Sequence, residues 1–302
     1  MKLLMTGAVN WTSEQINKIE KLNNNVIFVQ DERIPLKEQN IDISEIEGVI
    51  CNGLFLYNDI KEFKSLKFIQ LTSAGFDRVP MDFINEKNIK IHNARGVYSV
   101  PMSEFAISGV LQLYKKSQFF IDNKKQKKWV KNRELKELNG SEVLVVGCGS
   151  VGQHCAKLFN AFNCSVYGID LYPIENENFI KVFQLNKLEE RLSSADVVVL
   201  TLPLTNETKG LFDKDKFSQM KKGSTLVNIA RGGIVQTDAL IEALKTKLYG
   251  AVLDVFDTEP LPENSELWNL ENVVLTPHNS FVGNNNIQRL FKLVKENLQN
   301  DK

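Results

Sequence analysis

Short apolar runs alternate with longer amphipathic stretches along the chain, and this pattern predicts alternating β-strands and α-helices. In the first third, Thr12 is followed by Gln15 at the spacing of a capping box, so we expect a helix to begin there. The apolar runs predict short strands at residues 2–5, 26–29, 48–51, 68–71 and 89–92. Together these elements predict a small α/β unit that ends near residue 97.

After Gly140 the apolar runs become continuous, which is typical of strands buried on both faces of a parallel sheet. The predicted strands lie at residues 142–146, 165–169, 196–202, 224–229, 250–255 and 272–275. Helical spacing of apolar positions occurs at residues 101–120, 152–162, 214–219 and 237–246. This order predicts a doubly wound α/β sheet. We expect residues 285–298 to form an amphipathic helix that packs on the first unit.

The length of 302 residues favours two domains. Its 37 basic and 37 acidic side chains give zero formal net charge, which disfavours nucleic acid and anionic membranes as partners. The four cysteines are spaced neither as metal ligands nor as a disulfide scaffold, and no apolar run is long enough for a signal peptide or a membrane span. We therefore expect a cytoplasmic protein with reduced thiols and no bound metal. Its partners are expected to be small molecules or copies of itself.

A cationic stretch at residues 124–133 follows the predicted helix at 101–120. It is either an anion-binding patch or a solvated helix face, and the zero net charge favours the second interpretation. We assign it no role. Within it, Trp129 is expected to be a packing anchor rather than a ligand contact.

Three glycines, Gly147, Gly149 and Gly152, form a G-x-G-x-x-G motif between a predicted strand and a predicted helix. This is the context that a dinucleotide-binding loop requires. The first glycine permits a tight turn, the second lets the backbone approach a pyrophosphate, and the third lets the helix pack close to the sheet. The backbone N–H groups around Ser150 and Val151 are expected to face the phosphates.

Asp170 ends the next predicted strand. Its carboxylate is expected to accept hydrogen bonds from the ribose hydroxyls of an adenosine and to repel a 2′-phosphate. Leu171 and Tyr172 follow it, and neither side chain can neutralise such a phosphate. The sequence therefore predicts NAD, with NADH preferred over NADPH. The alternative, that Asp170 is a turn residue closing a strand, stays open.

Three polar side chains, Arg231, Glu259 and His278, follow predicted strands at the sheet edge that carries the glycine loop. Each has a simple structural interpretation, as a surface cation, a solvated acid and a strand cap. A cation, a carboxylate and an imidazole at one edge nevertheless indicate a site, and histidine is the usual acid and base near neutral pH. Of the other histidines, His154 is expected on a helix surface, and His92 is not excluded by its position.

At this point the chain resembles the D-isomer-specific 2-hydroxyacid dehydrogenase family over essentially its whole length. The matching stretches are TSAGFDRVP, VLVVGCGSVGQ with Asp170, TLPLTNETKGLF, LVNIARGGIVQTDALIEAL, LDVFDTEPLP and LTPHNS. The resemblance implies two Rossmann-like or flavodoxin-like α/β domains with doubly wound parallel sheets. It implies a split substrate domain, residues 1–97 and 284–302, with an NAD-binding domain, residues 98–283, inserted between the parts. It also implies a homodimer formed through the NAD-binding domains, with the helix at 101–120 in the interface.

The resemblance also implies roles for the matching residues. His278 would be the general acid and base, Glu259 its carboxylate partner, and Arg231 the cation that holds the substrate carboxylate. Reduction of a 2-keto acid needs a proton donor at the carbonyl oxygen, and a neighbouring carboxylate stabilises a charged imidazole. Arg231 and His278 are implied to contact both substrate and cofactor. The sequence departs from the family's pattern at two places: the turn before Asp254 is short, and Gln236 replaces a common acid. Both lie outside the three proposed catalytic residues, so they affect the expected loop geometry and not the expected chemistry.

Further contacts implied by the resemblance fall into three groups. Near the nicotinamide they are Ile229, Ala230 and Asp254. Leu202 and Pro203 would line the adenosine pocket. The backbone of Ser73, Ala74 and Gly75 would receive the substrate carboxylate.

The substrate's side chain is expected to meet residues 52–59, which include Leu54, Phe55, Leu56 and Tyr57. Half of these four are core residues in the alternative interpretation. They supply no cation, which argues against a phosphorylated substrate. The sequence thus predicts a small, unphosphorylated 2-keto or 2-hydroxy acid as substrate. It leaves open which acid this is, and it leaves two alternatives: an NAD-responsive, corepressor-like binding protein, and a phosphoglycerate or phosphite dehydrogenase of the same family.

Overall fold

The computed structural model describes residues 1–22 and 25–300. The chain forms two compact units: unit 1 is Met1–Tyr98 with Gly283–Lys302, and unit 2 is Ser99–Val282. These bounds lie one residue from those implied by the family resemblance. The last two residues of the implied substrate domain, 301 and 302, lie outside the described residues.

The elements of both units alternate along the chain. The strands are β1 (Lys2–Thr6), β2 (Asn25–Val29), β3 (Gly48–Cys51), β4 (Phe68–Leu71), β5 (Lys90–His92), β6 (Glu142–Val146), β7 (Ser165–Asp170), β8 (Lys181–Gln184), β9 (Val197–Leu200), β10 (Thr225–Asn228), β11 (Gly250–Leu253) and β12 (Val273–Leu275). The α-helices are α1 (Ser13–Glu20), α2 (Met81–Glu86), α3 (Ser99–Tyr114), α4 (Ser117–Lys125), α5 (Ser150–Ala161), α6 (Leu188–Leu192), α7 (Lys214–Gln219), α8 (Thr237–Thr246) and α9 (Asn286–Asn300).

Unit 1 contains a parallel sheet in the order β2-β1-β3-β4-β5. The predicted capping box is confirmed, because the Gln15 N–H donates to the Thr12 hydroxyl at 3.2 Å and the Thr12 N–H donates to the Gln15 side chain at 2.9 Å. Helix α9 places its apolar stripe in the same core cluster as Leu3 and Met5 of β1. The predicted packing of this helix on the first unit is therefore confirmed.

Unit 2 contains a seven-stranded parallel sheet in the order β12-β11-β10-β9-β6-β7-β8. The chain enters at β6, runs outward to β8 and returns to β9 on the other side of β6. This reversal opens a crevice at the carboxyl ends of β6 and β9, the usual place for a ligand in such sheets. All residues of β9 and β10 are buried, as their continuous apolar runs predict.

Two elements of unit 2 were not predicted, and two predictions there are wrong. Strand β8 lies at the sheet edge with partly exposed, mixed residues, and α6 has only one turn, so neither has a clear sequence period. The helix expected at 101–120 is two helices, α3 and α4, because Lys116 adopts a left-handed backbone with φ 51°. Trp129 is 97% exposed and anchors no packing, because it lies in the irregular segment after α4.

None of the helices in residues 1–22 and 25–300 combines the length and apolar character needed to cross a bilayer.

Candidate active site

The glycine motif of unit 2 connects β6 to α5: Gly147 and Gly149 lie in the turn before Ser150, and Gly152 lies in the first turn of the helix. Gly147 has φ 102°, a conformation that other residues rarely adopt. A Cβ on Gly152 would lie 2.0 Å from the Gly147 carbonyl oxygen, so the close approach of helix and strand requires glycine. A Cβ on Gly149, by contrast, would meet nothing within 4 Å. The open space beside Gly149, at the amino end of a helix, fits a pyrophosphate.

Asp170 lies beside this turn at the end of β7. One carboxylate oxygen accepts the Cys148 N–H at 2.7 Å, and the other accepts the Tyr172 N–H at 3.0 Å. The carboxylate therefore holds the glycine loop to the next strand. Because an ionised carboxylate has about four acceptor positions, it retains capacity for ribose hydroxyls. Its role toward an adenosine stays a prediction.

The third strand at the crevice, β9, leads to Leu202 and Pro203. The Leu202 side chain is only 4% exposed and lies in the core of unit 2, while Pro203 is exposed. Their backbone runs next to Gly147, whose added Cβ would come within 2.8 Å of the Leu202 nitrogen. Thr201, which the sequence reasoning missed, donates its hydroxyl to the Gly147 carbonyl at 2.6 Å. A threonine directly after a buried strand was the available signal.

His278 and Glu259 are brought together after β12 and β11. The distance from His278 Nδ1 to Glu259 Oε2 is 2.9 Å, and both side chains are about two-fifths exposed. The other Glu259 oxygen accepts the Phe256 N–H at 3.0 Å. Since an ionised carboxylate only accepts hydrogen bonds, Nδ1 donates. The second ring nitrogen, Nε2, is then the atom available to exchange a proton with a ligand.

Asp254 anchors the turn that carries His278. Its fully buried carboxylate accepts the Thr276 hydroxyl at 2.6 Å, the Asn279 N–H at 2.7 Å and the Ser280 N–H at 2.9 Å. His278 adopts a left-handed backbone with φ 51°, and its N–H donates to the Asp254 carbonyl at 2.8 Å. An uncommon conformation of this kind persists when its surroundings fix it, and Asp254 supplies that restraint. The predicted contact of Asp254 with a nicotinamide is not tested by these contacts.

Arg231 begins the short turn after β10, the strand next to β11. Its guanidinium donates to the Ala230 carbonyl at 2.8 Å. The turn is held by buried Asn228, whose side chain accepts the Ala230 N–H at 3.1 Å and donates to the Arg231 carbonyl at 3.2 Å. A Cβ on Gly232 would lie 1.8 Å from the Phe256 carbonyl carbon, so glycine is required where this turn meets the one after β11. Asn228 and Gly232 were missed, although both stand in the stretch LVNIARGG.

Unit 1 presents its own loops at the carboxyl edge of its sheet. The loop at Ser73, Ala74 and Gly75 is tied to the chain after β5, because the Asn93 side chain donates to the Ala74 carbonyl at 2.7 Å. The Ala94 N–H donates to the Ser73 carbonyl at 2.8 Å. These contacts hold the backbone that is predicted to receive a carboxylate.

The loop after β3 is held by Glu32, a buried residue that the sequence reasoning missed. Its carboxylate accepts the Asn52 N–H at 3.0 Å, the Gly53 N–H at 2.5 Å and the Thr6 hydroxyl at 2.6 Å. Leu54 is fully buried in the core of unit 1, whereas Leu56 is 59% exposed. The Leu54 side chain is thus a core residue, as the alternative interpretation held, and the exposed surface of this segment begins after it.

Other candidate groups are engaged in structural roles. His154 contacts the Ser150 carbonyl through Nδ1 at 2.9 Å within α5. All four cysteines are free, and burial raises the pKa of Cys148 to about 12, of Cys155 to about 12 and of Cys164 to about 11. Such thiols stay protonated and are poor nucleophiles. In the described part of the chain, no group of three or more histidine, cysteine or acidic side chains is arranged to hold a metal ion.

Comparisons with known proteins show which family this chain resembles. The family described as D-isomer specific 2-hydroxyacid dehydrogenase, NAD binding domain, matches residues 107–280. A D-2-hydroxyacid dehydrogenase (NAD(+)) of Clostridioides difficile is 30% identical, over 96% of this chain and 93% of the relative. A D-lactate dehydrogenase of Streptococcus agalactiae is 31% identical, over 82% of each chain. A solved family protein from Aeromonas salmonicida superposes with a TM-score of 0.79 at 27% identity, covering 99% of this chain and 95% of that one.

The chain therefore belongs to the D-isomer-specific 2-hydroxyacid dehydrogenase family. It is an enzyme of that family, an NAD-dependent oxidoreductase acting on CH–OH groups.

Proposed function

We propose that the protein interconverts a small, unphosphorylated 2-keto acid and its 2-hydroxy acid with NAD(H). The observation that carries this proposal is the His278–Glu259 pair, held at 2.9 Å on the sheet edge that also carries the glycine loop. A proton donor and a dinucleotide cradle at one edge are the two parts that carbonyl reduction requires.

In this mechanism, His278 Nε2 gives a proton to the carbonyl oxygen, while Glu259 orients the ring through its hydrogen bond to Nδ1. Arg231 offers a planar guanidinium, which suits a carboxylate and polarises the neighbouring carbonyl. In unit 1, the backbone at Ser73–Gly75 is our second candidate for binding a substrate carboxylate. Bound NADH supplies the hydride. In the reverse direction, the same nitrogen removes the proton from the hydroxyl.

For the cofactor, we propose that NADH is preferred over NADPH. The carboxylate of Asp170 stands at the end of β7, where it would repel a 2′-phosphate. No basic side chain follows it directly in the sequence. Asp170→Ala is expected to raise the KM for NADH by about 10-fold and to narrow the preference over NADPH.

We also propose a homodimer formed through unit 2, in the cytoplasm. Apolar side chains stand exposed on α4 and the segment after it, at 39% for Phe120, 46% for Ile121 and 97% for Trp129. Such residues are typical of protein interfaces, and free cysteines are typical of the cytoplasm. Light scattering after gel filtration should give a dimer mass that shifts toward a monomer in Trp129→Ser. A monomer mass for the wild-type protein would exclude this assembly.

The test of the reaction is NADH oxidation with pyruvate, 2-ketobutyrate, branched 2-keto acids, glyoxylate and hydroxypyruvate, repeated with NADPH. We expect turnover of at least one of these with NADH. If the protein preferred 3-phosphohydroxypyruvate, the proposal that its substrate is unphosphorylated would be wrong. Tight NADH binding with no turnover of any 2-keto acid would overturn the proposed reaction.

A further inference from the structure

Unit 1 contains a cavity of about 320 Å³ between residues 55–61 and residues 77–83. These segments belong to the loops after β3 and β4, so the cavity lies at the carboxyl edge of the sheet. Its apolar lining includes Phe55, Ile60, Val79 and Phe83. The volume is at the lower end of the range for small-molecule sites.

Two cations line this cavity, Lys61 and Arg78, and both are exposed. Within residues 1–22 and 25–300, neither has a carboxylate at ion-pair distance. Two other exposed cations of unit 1 are paired: Arg33 lies 2.9 Å from Asp31, and Lys37 lies 2.5 Å from Glu62. Lys61 and Arg78 are thus two cations of the cavity lining that no carboxylate of the described residues holds in an ion pair.

Arg78 lies next to the loop that Glu32 holds. A Cβ on Gly53 would be 3.9 Å from Arg78 Cδ and 3.5 Å from Glu32 Oε1. The arginine stem therefore passes over Gly53, between the loops after β3 and β4. Gly75, in the backbone predicted to receive the substrate carboxylate, precedes Arg78 on the same loop.

We propose that this cavity binds the side chain of the substrate and that Arg78, assisted by Lys61, recognises a carboxylate at its end. This rests on the proposed function and narrows the substrate to dicarboxylic 2-keto acids with an apolar spacer. Asp59 and Asp77 also line the cavity, so its formal lining charge is zero. Because the lining has no net positive charge, a dianionic phosphate would leave more charge uncompensated in the cavity than a monoanionic carboxylate does.

The experiment compares kcat/KM for 2-ketoglutarate and 2-ketoadipate with that for 2-ketohexanoate, which has a similar chain but no second carboxylate. In the wild-type protein we expect the dicarboxylic acids to be preferred by about 10-fold, the effect of one partly exposed charge-assisted hydrogen bond. Arg78→Gln should lower this ratio by about 10-fold, and Lys61→Gln by less. Arg33→Gln is the matched control, because Arg33 is exposed, paired with Asp31 and outside the cavity lining.

The inference is overturned if the wild-type protein has equal kcat/KM for the dicarboxylic acids and 2-ketohexanoate, or if Arg78→Gln leaves the ratio of these values unchanged. In either case, turnover of a keto acid would still support the proposed function. A preference for 3-phosphohydroxypyruvate would indicate that Arg78 and Lys61 bind a phosphate, and it would overturn the proposal that they recognise a carboxylate. If no keto acid is turned over, the proposed function fails, and calorimetric binding decides the inference separately. Tighter binding of 2-ketoadipate than of 2-ketohexanoate, lost in Arg78→Gln, supports the cavity assignment; equal binding overturns it.

Discussion

The two units use the same device at the carboxyl edges of their sheets, with different results. In unit 2, Asp254 accepts two backbone N–H groups and the Thr276 hydroxyl. In unit 1, Glu32 accepts two backbone N–H groups and the Thr6 hydroxyl. The turn held by Asp254 carries His278, which we propose as the proton donor. The loop held by Glu32 carries no such group and leads into a cavity.

The comparison shows that a buried carboxylate can hold a loop in place whether or not that loop carries a candidate catalytic side chain. Three hydrogen bonds offset part of the cost of burying each carboxylate. Without the carboxylate, each of the three donors would lose its hydrogen bond away from water. Both loops are therefore held firmly for the same physical reason. What each loop does depends on the side chains around it: an imidazole in unit 2, and in unit 1 apolar walls together with Arg78 from the neighbouring loop after β4.

The largest expected effect is that of His278→Ala. Removing the general acid should lower kcat for keto-acid reduction by roughly 10²–10⁴-fold, or about 3 to 5.5 kcal/mol of barrier. NADH binding, followed by fluorescence, should be retained because the glycine loop is untouched. If the variant kept most of the wild-type kcat, His278 would not be the proton donor, and the proposed chemical difference between the sheet edges of unit 2 and unit 1 would be wrong.

Arg231→Lys should have the next largest effect. Lysine keeps the charge but lacks the planar fork, so kcat/KM is expected to fall by about 10- to 100-fold. Steady-state kinetics on the best keto acid measure this. Arg33→Lys, at an exposed arginine of unit 1, is the control and should change kcat/KM by less than about twofold. Near wild-type kcat/KM in Arg231→Lys would contradict the role of the guanidinium.

The pair Asp254→Asn and Glu32→Gln compares the two anchors directly. Each amide loses one acceptor atom and should destabilise the protein by about 1–3 kcal/mol in urea unfolding. Asp254→Asn is expected to lower kcat by about 10-fold, because the His278 turn loosens. Glu32→Gln should raise KM more than it lowers kcat, because it loosens the loop beside the cavity. Equal effects on kcat in the two variants would contradict the proposal that the unit 2 edge serves catalysis and the unit 1 edge serves substrate selection.

Thr12→Ala should have the smallest effect. It removes an exposed helix cap in unit 1 and is expected to lower the free energy of unfolding by about 1 kcal/mol. The change in kcat/KM should stay below that of Glu32→Gln. Ser13→Ala, at the adjacent exposed position, is the control and should leave stability close to that of the wild type. A larger loss than in Glu32→Gln would show that burial does not set the strength of these restraints.

Most strands of both sheets could be predicted from the sequence, because burial on both faces demands continuous apolar runs. The glycine motif and the residues at strand ends were also found, since glycine is required where a Cβ has no room, as at Gly152. The edge strand β8 and the break at Lys116 escaped because neither depends on a distinctive local pattern. Trp129 escaped because burial of a large side chain depends on what lies across from it.

The sequence by itself determined the family and the parallel α/β architecture, and it singled out His278, Glu259 and Arg231 as the candidates for the chemistry. These features could be predicted because each depends on particular residue types within a short stretch of sequence. Only the tertiary structure decided that Asp254 and Glu32 are matching anchors, and that Lys61 and Arg78 line one cavity. The segment 52–59 contains no cation, yet the loop after β4 brings Arg78 over Gly53. Charge around a ligand is set by distance in space, which the order of residues along one loop does not give.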